Sequence, residues 1–185
     1  MPGKSTPNSE ARFKRVLSRN PDKNEVIHTS DLVVSGASLN EYNVLETIGV
    51  GAFSVVRRVT RMVDGKEQSF ALKILKKSML AKQKTAAGRS ALDDVRREIA
   101  LMKKFNHPNL TRLYEVIDDP NNHIMFLVLE FISGGQLMDR VSDSRYQSTN
   151  FPSGLVPELT VRKYSRDILH GLMFLHHQQI AHRDL

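Results

Sequence analysis

From Tyr42 to Leu75 the chain reads YNVLETIGVGAFSVVRRVTRMVDGKEQSFALKIL. Apolar and polar residues alternate over Tyr42–Gly49, Val55–Met62 and Gln68–Leu75, the period-two pattern of half-buried strands. Asp64-Gly65 separates the last two runs, and that dipeptide favours the positive-φ pair of a two-residue hairpin. The stretch therefore predicts three consecutive antiparallel strands.

Working outward, Leu92, Val95, Ile99 and Met102 fall at helical spacing, and Ser90 with Asp93 forms a capping-box start. His107-Pro108-Asn109 ends that helix. Arg112–Asp118 and His123–Glu130 read as two further strands about a turn of Asp, Pro and Asn residues. The run Ile124–Leu129 is continuously apolar, as in a strand covered on both faces. After Gly134-Gly135 a short helix is expected from Gln136 to about Arg145. A long amphipathic helix then begins at Pro157-Glu158 and carries Val161, Tyr164, Ile168, Leu172 and Leu175 at three- to four-residue intervals. The order β-β-β-α-β-β-α-α is an α+β layout with an antiparallel sheet. Residues 1–40 are rich in Ser, Asn, Pro and charge and read as a disordered tail.

The chain has 185 residues and no cysteine, which excludes disulfide scaffolds, thiolate zinc sites and thiol catalysis. No apolar run approaches the ~18 residues of a membrane span. The basic residues of the N-terminal stretch precede no apolar core, so no signal peptide is expected. Gly3 rather than a glycine at position 2 excludes N-myristoylation. A soluble, cytoplasmic location is the resulting expectation. The net charge is +7, and residues 73–97 hold eight basic against two acidic side chains. Such a segment suits a polyanion, but no aromatic residues interleave with its cations, so nucleic acid is not expected. It reads instead as a solvated lysine-rich loop leading into a helix.

Three motifs carry chemistry. Gly49-Val50-Gly51 lies between two strands, and glycines let backbone amides approach a phosphate closely. The β-branched Val55-Val56 that follows excludes a dinucleotide-binding turn, which would open a helix there. No Lys-Ser/Thr pair follows to make a Walker loop, so a hairpin flap over phosphates fits better. Phe70-Ala71-Leu72-Lys73 sets one lysine in an apolar strand, and a buried ammonium needs an anionic partner. Candidates are phosphate oxygens and Glu98, which lies beside the apolar stripe of the following helix. His182-Arg183-Asp184 supplies an aspartate able to orient a hydroxyl nucleophile and take its proton. His170, His176 and His177 lie nearby, but no acidic ligand matches their spacing, so no metal site is expected from them.

Taken in order, the glycine loop, strand lysine, helix glutamate, HPN and HRDL resemble a eukaryotic protein kinase domain over residues 42–185. Glu98–Pro120 is most similar to the calcium/calmodulin-dependent kinases and kinase kinases. The resemblance implies a fold in which a five-stranded antiparallel small lobe with one helix spans 41–130. Residues 131–185 would then be the hinge and the start of the large lobe. It implies ATP with Mg²⁺ as cofactors. Gly49 and Gly51 would cover the phosphates, and Lys73, paired with Glu98, would hold them. Ile48, Val56 and Ala71 would roof the adenine. Leu129 would be the gatekeeper, and the backbone of Glu130 and Ile132 would bond the adenine edge. Gln136 stands where many relatives carry a glutamate, and Asp184 would be the catalytic aspartate.

Ser54 replaces the third loop glycine of the pattern, and the sequence stops at Leu185 before any catalytic-loop asparagine or DFG, the residues that hold magnesium. The expectation is thus the N-terminal part of a Ser/Thr kinase with a truncated large lobe, inactive as it stands. A protein substrate, and calmodulin or a regulatory kinase as partner, are implied. The alternatives are a non-catalytic nucleotide- or partner-binding fragment and a basic adaptor using Lys73–Arg97.

Overall fold

The computed structural model describes residues 27–29, 34–35, 37–85, 88–142, 145–148 and 150–182. They divide into two compact units, the first running to Lys104 and resuming at Leu113–Phe131, the second made of Phe105–Arg112 and the residues from Ile132 onward.

The first unit is a curled sheet with a helix packed on one side. Its strands are β1 (Ile27–Thr29), β2 (Val34–Ser35), β3 (Ser38–Leu39), β4 (Tyr42–Val50), β5 (Ser54–Val63), β6 (Lys66–Lys76), β7 (Leu113–Ile117) and β8 (Ile124–Glu130), in the order β1-β7-β8-β6-β5-β4-β3-β2. The five antiparallel strands expected from the sequence form its centre. Asp64 (φ 49°) and Gly65 (φ 76°) make the β5–β6 turn, closed by the Val63–Lys66 pair. The three outer strands are additions. β1 pairs parallel to β7, with Ile27 opposite Glu115, while β2 and β3 extend the opposite edge beyond β4. The tail expected through residue 40 is corrected accordingly, because these short strands belong to the sheet. Apart from Ala37 and Asn40, which flank β3, the rest of the expected tail lies outside the described residues.

Two observations require strong curling. In a flat sheet β1 and β2 would stand seven strand spacings apart, about 34 Å at ~4.8 Å each. Thr29 and Val34 are only five residue steps apart in the chain, a reach of at most about 18 Å. Likewise β4 and β7 are separated by three strands, yet the Tyr42 hydroxyl donates to Glu115 Oε2 at 2.7 Å. The concave face is filled by Leu39, Tyr42, Val59, Phe70, Leu72, Ile117, Phe126 and Val128. Arg61 joins the same face, donating through one terminal nitrogen to Glu41 Oε1 at 2.6 Å and to the Tyr42 hydroxyl oxygen at 3.0 Å. Its guanidinium also lies over the rings of Tyr42 and Phe70. Burial raises the Tyr42 phenol well above its ordinary range, and the Glu115 carboxylate adds to the effect.

The other side of the sheet carries Leu75, Leu113, Val116, Met125 and Leu127, packed with Leu80 and Ile99 from two helices. α1 (Lys77–Lys82) lies in the segment expected to be a solvated loop, and α2 (Ala91–Met102) is the helix expected to follow it. Lys77 explains the difference: its ammonium donates to Asp118 Oδ1 at 2.6 Å and to the Asp119 carbonyl at 2.8 Å, while Leu80 is buried beneath it. The capping box expected at Ser90 and Asp93 is present.

The second unit holds β9 (Asp139–Ser142), β10 (Arg145–Gln147) and α3 (Glu158–His177). A hairpin replaces the helix expected from Gln136 to Arg145. Asn150 accounts for its absence, since the side-chain amide donates to the carbonyls of Gly134 (3.2 Å) and Gln136 (3.0 Å) and holds that backbone out of a helical turn. The HPN turn packs on α3 through Phe105 and His107 against Phe174. Gly171 allows the close approach, because a Cβ there would stand 2.9 Å from the Asn109 carbonyl oxygen. No described helix is long and apolar enough to cross a membrane.

Candidate nucleotide site

The site is built on the side of the sheet that faces α2. Side chains alternate along β5 and β6, so Val56 and Arg58 share a face with Lys73 and Ala71. The register makes this explicit: Val56 pairs with Lys73, and Lys73 with Leu127, while Arg58 pairs with Ala71, and Ala71 with Leu129. Two cross-strand rows result, one centred on the lysine and the other on the small Ala71.

The glycine flap closes the open end of β4 and β5. Gly49 pairs with Val56 and Val50 with Val55, and the Gly51 N–H donates to the Ser54 carbonyl at 2.8 Å. A Cβ on Gly51 would lie 3.0 Å from Ser54 Oγ, whereas one on Gly49 would make only ordinary contact with Val56. Position 51 is therefore the stricter of the two. Among the described residues, neither the Ala52 nor the Phe53 N–H donates to backbone. Ile48 and Val50 are exposed, and Phe53 tucks against the apolar cluster under α2.

Lys73 is half-buried in this face, and among the described residues no carboxylate lies within 4.0 Å of its ammonium. Glu98 sits on α2 one position before the buried Ile99 and is exposed, so the structure does not bring Lys73 and Glu98 together. An ammonium held among apolar residues, on the strand paired with β5 whose flap leaves the Ala52 and Phe53 N–H groups without a backbone acceptor among the described residues, fits an anionic group. Leu129 packs on the cluster under α2 and Glu130 pairs with Phe70. Ile132 belongs to the second unit, where it is exposed and, with Gln136, Asn109, Asn150, Tyr164 and Asp167, lines an open cavity of about 400 Å³. Asp184 lies outside the described residues. Among the described residues no group of three metal-ligating side chains converges.

Sequence reasoning passed over one feature. Arg58 reaches from the Ala71 row to the Phe131 ring, 5.7 Å from its centroid, and its Nε lies 3.2 Å from Glu46 Oε1. The signal was present in the spacing, since Arg58 follows Val56 by two residues and so shares its face.

The sequence of residues 42–185 matches the family described as the protein kinase domain. This chain belongs to the protein kinase family. A probable serine/threonine-protein kinase of Dictyostelium discoideum is 40% identical over 148 residues, covering 80% of this chain and 19% of its own length. Serine/threonine-protein kinase GRIK2 of Arabidopsis thaliana is 36% identical over 164 residues, 89% of this chain and 37% of the relative. A calcium/calmodulin-dependent protein kinase kinase of Caenorhabditis elegans is 34% identical over 163 residues, 80% of this chain and 28% of the relative. The chain thus spans less than two-fifths of the length of these kinases. The curled sheet with α2 is the kinase small lobe.

Proposed function

We propose that this chain holds ATP for phosphoryl transfer to serine or threonine of a protein, as part of a kinase of the calcium/calmodulin-dependent kinase kinase group. The observation that carries the reading is Lys73, placed opposite Val56 with no carboxylate partner among the described residues, on the strand next to the glycine hairpin. In this reading Gly49 and Gly51 let the flap backbone lie over the phosphates, and Lys73 supplies the fixed positive charge. Ile48, Val56 and Ala71 cover the adenine, Leu129 limits the depth of its pocket, and the backbone at Glu130 and Ile132 bonds its edge. Mg²⁺ travelling with the nucleotide neutralises phosphate charge. Asp184 orients the acceptor hydroxyl and takes its proton. Glu98 reaches Lys73 only if α2 turns or shifts, so their pairing belongs to a second arrangement of the helix.

The relatives named as serine/threonine kinases support the acceptor class. The relative named as a kinase kinase supports the group, and with it a protein substrate and regulation by calmodulin or another kinase. A cytoplasmic location is the compartment in which such a reaction finds ATP.

Calorimetric titration of the 185-residue chain with ATP, with and without Mg²⁺, tests the reading. Binding is expected in the parent, and Lys73→Met is expected to weaken it by roughly tenfold or more, the loss of a charge-assisted contact of about 1.5–3 kcal/mol. Equal affinity in parent and variant removes Lys73 from the site.

A further inference from the structure

We propose that Arg58 is a positioning residue for nucleotide binding, fixing the end of β8 at Glu130–Phe131 against β5 by stacking on Phe131 while Glu46 holds its guanidinium. The inference rests on the reading of this face as the ATP site. That reading uses the backbone of Glu130, which the ladder sets opposite Phe70, but leaves open what holds the chain just beyond it. Phe131 ends the first unit, and β8 stops at Glu130, so no ladder hydrogen bond of the sheet reaches past that point.

The geometry assigns the task to Arg58. Its neighbour across the sheet is Ala71, and the next in the row is Leu129, two residues before Phe131. The aliphatic stem therefore starts beside the residue proposed to roof the adenine, and the charged head ends over the Phe131 ring at 5.7 Å. That distance is within the range in which a guanidinium is attracted to an aromatic face. Glu46, on β4, also meets the guanidinium, with Nε and Oε1 3.2 Å apart. The contact is a charge pair rather than a directed hydrogen bond, since Nε has no hydrogen-bond partner. Three strands are thereby tied together across one face: β4 through Glu46, β5 through Arg58 and the end of β8 through Phe131. Arg57, one residue earlier, points to the concave face and donates to the Leu45 carbonyl, so it cannot substitute.

Arg58 acts through Phe131 and touches no phosphate in this scheme, which separates it from Lys73. The test titrates the 185-residue chain with ATP, with adenosine and with inorganic tripolyphosphate. Arg58→Ala is expected to weaken ATP and adenosine by the same factor, about two- to fivefold for a partly exposed cation–π contact, and to leave tripolyphosphate unchanged. Arg58→Lys keeps the charge and most of the stem and should recover part of the loss. Phe131→Leu should cost a similar factor, and adding Arg58→Ala to it should cost little more, because the two act as one unit. Hydrogen exchange at the Glu130 and Phe131 amides should quicken in Arg58→Ala and in Arg58→Lys to graded extents.

Adenosine affinity unchanged in both Arg58 variants overturns the inference while leaving the ATP reading intact. Equal loss for tripolyphosphate also overturns it, because the arginine would then be serving the phosphates or the fold at large. A parent chain that binds neither ATP nor adenosine overturns the ATP reading, and the inference with it.

Discussion

Tyr42→Phe removes a single oxygen from the centre of the concave face, and its cost follows from what that oxygen touches. The hydroxyl donates to Glu115 at 2.7 Å and accepts from Arg61 at 3.0 Å. Tyr42 is fully buried, and Glu115 and Arg61 are 4% and 8% exposed. Water cannot replace the lost partner without opening the sheet. A hydrogen bond to a buried charged group is worth about 1.5–3 kcal/mol, so a loss of about 2 kcal/mol is expected. In a unit of roughly 100 residues this lowers Tm by about 8 °C or more. The aromatic edge contacts of the ring with Phe70 survive in phenylalanine, so the change reports on the hydroxyl and not on packing.

Alkaline pH supplies an independent arm of the same experiment. The folded Tyr42 phenol sits above its ordinary value, first because of burial and then because of Glu115, with Arg61 opposing. A group whose pKa is raised on folding contributes stability that is complete below its unfolded value, about 10 for tyrosine, and is lost as pH rises towards the folded value. Urea denaturation from pH 8 to pH 11 should therefore show a falling limb in the parent. Tyr42→Phe should be less stable at pH 8 yet flatter above pH 10. Glu115→Gln removes one of the causes that raise the phenol, so the limb should still begin near pH 10 but be shallower and level off sooner. A Tyr42→Phe chain as stable as the parent, with the same alkaline limb, would refute the idea that this network joins β4 to β7.

Two further predictions concern the helices. Asp93 is held below its ordinary value by the Ser90 hydroxyl, so the capping box contributes above about pH 4 and is lost as pH falls through the folded value; Ser90→Ala should raise amide exchange in the first turn of α2 at neutral pH and abolish its acid dependence, as NMR would show. Gly171→Ala would stabilise an exposed helix by about 1 kcal/mol, but a Cβ 2.9 Å from the Asn109 carbonyl should turn that into a net loss of about 1–2 kcal/mol; a rise in Tm would show that the HPN turn does not press on α3.

The central strands were legible because their signals are local. Asp64-Gly65 dictates its turn from two residues, and Ser90 reads Asp93 three positions away. The outer strands β1–β3 are two or three residues long, too short to show a period, and β1 owes its existence to Glu115–Ile117 far along the chain. The same holds for Tyr42 and Glu115: each alone looks like an ordinary tyrosine or a surface glutamate, and only curling of the sheet brings them together. α1 was hidden because it is only six residues long in a lysine-rich segment, and the lysine that anchors it, Lys77, is indistinguishable in sequence from Lys76 or Lys82. At the candidate site, Lys73 was legible as the one charge in an apolar run. The exposure of Glu98 was not, because it depends on the rotation of α2 about its axis, and a stripe of four apolar residues leaves that rotation loosely specified.

β6 joins these two kinds of polar group on one strand. Its Phe70 and Leu72 face the concave side, where Arg61 finds Glu41 and Tyr42 finds Glu115. Ala71 and Lys73 face the other side, where the lysine has no carboxylate among the described residues. The physical rule is the same on both faces: a charge withdrawn from water needs an opposite charge or hydrogen bonds to offset its desolvation. On the concave face the chain itself supplies the partners of Arg61 and of the Tyr42 hydroxyl, which makes that cluster a fixture of the fold. On the other face the described residues supply the cation without an anion, next to a flap whose tip has two backbone amides with no backbone acceptor among them. An incomplete cluster beside a complete one, in the same sheet and on the same strand, is what distinguishes a place for a ligand from a place for structure.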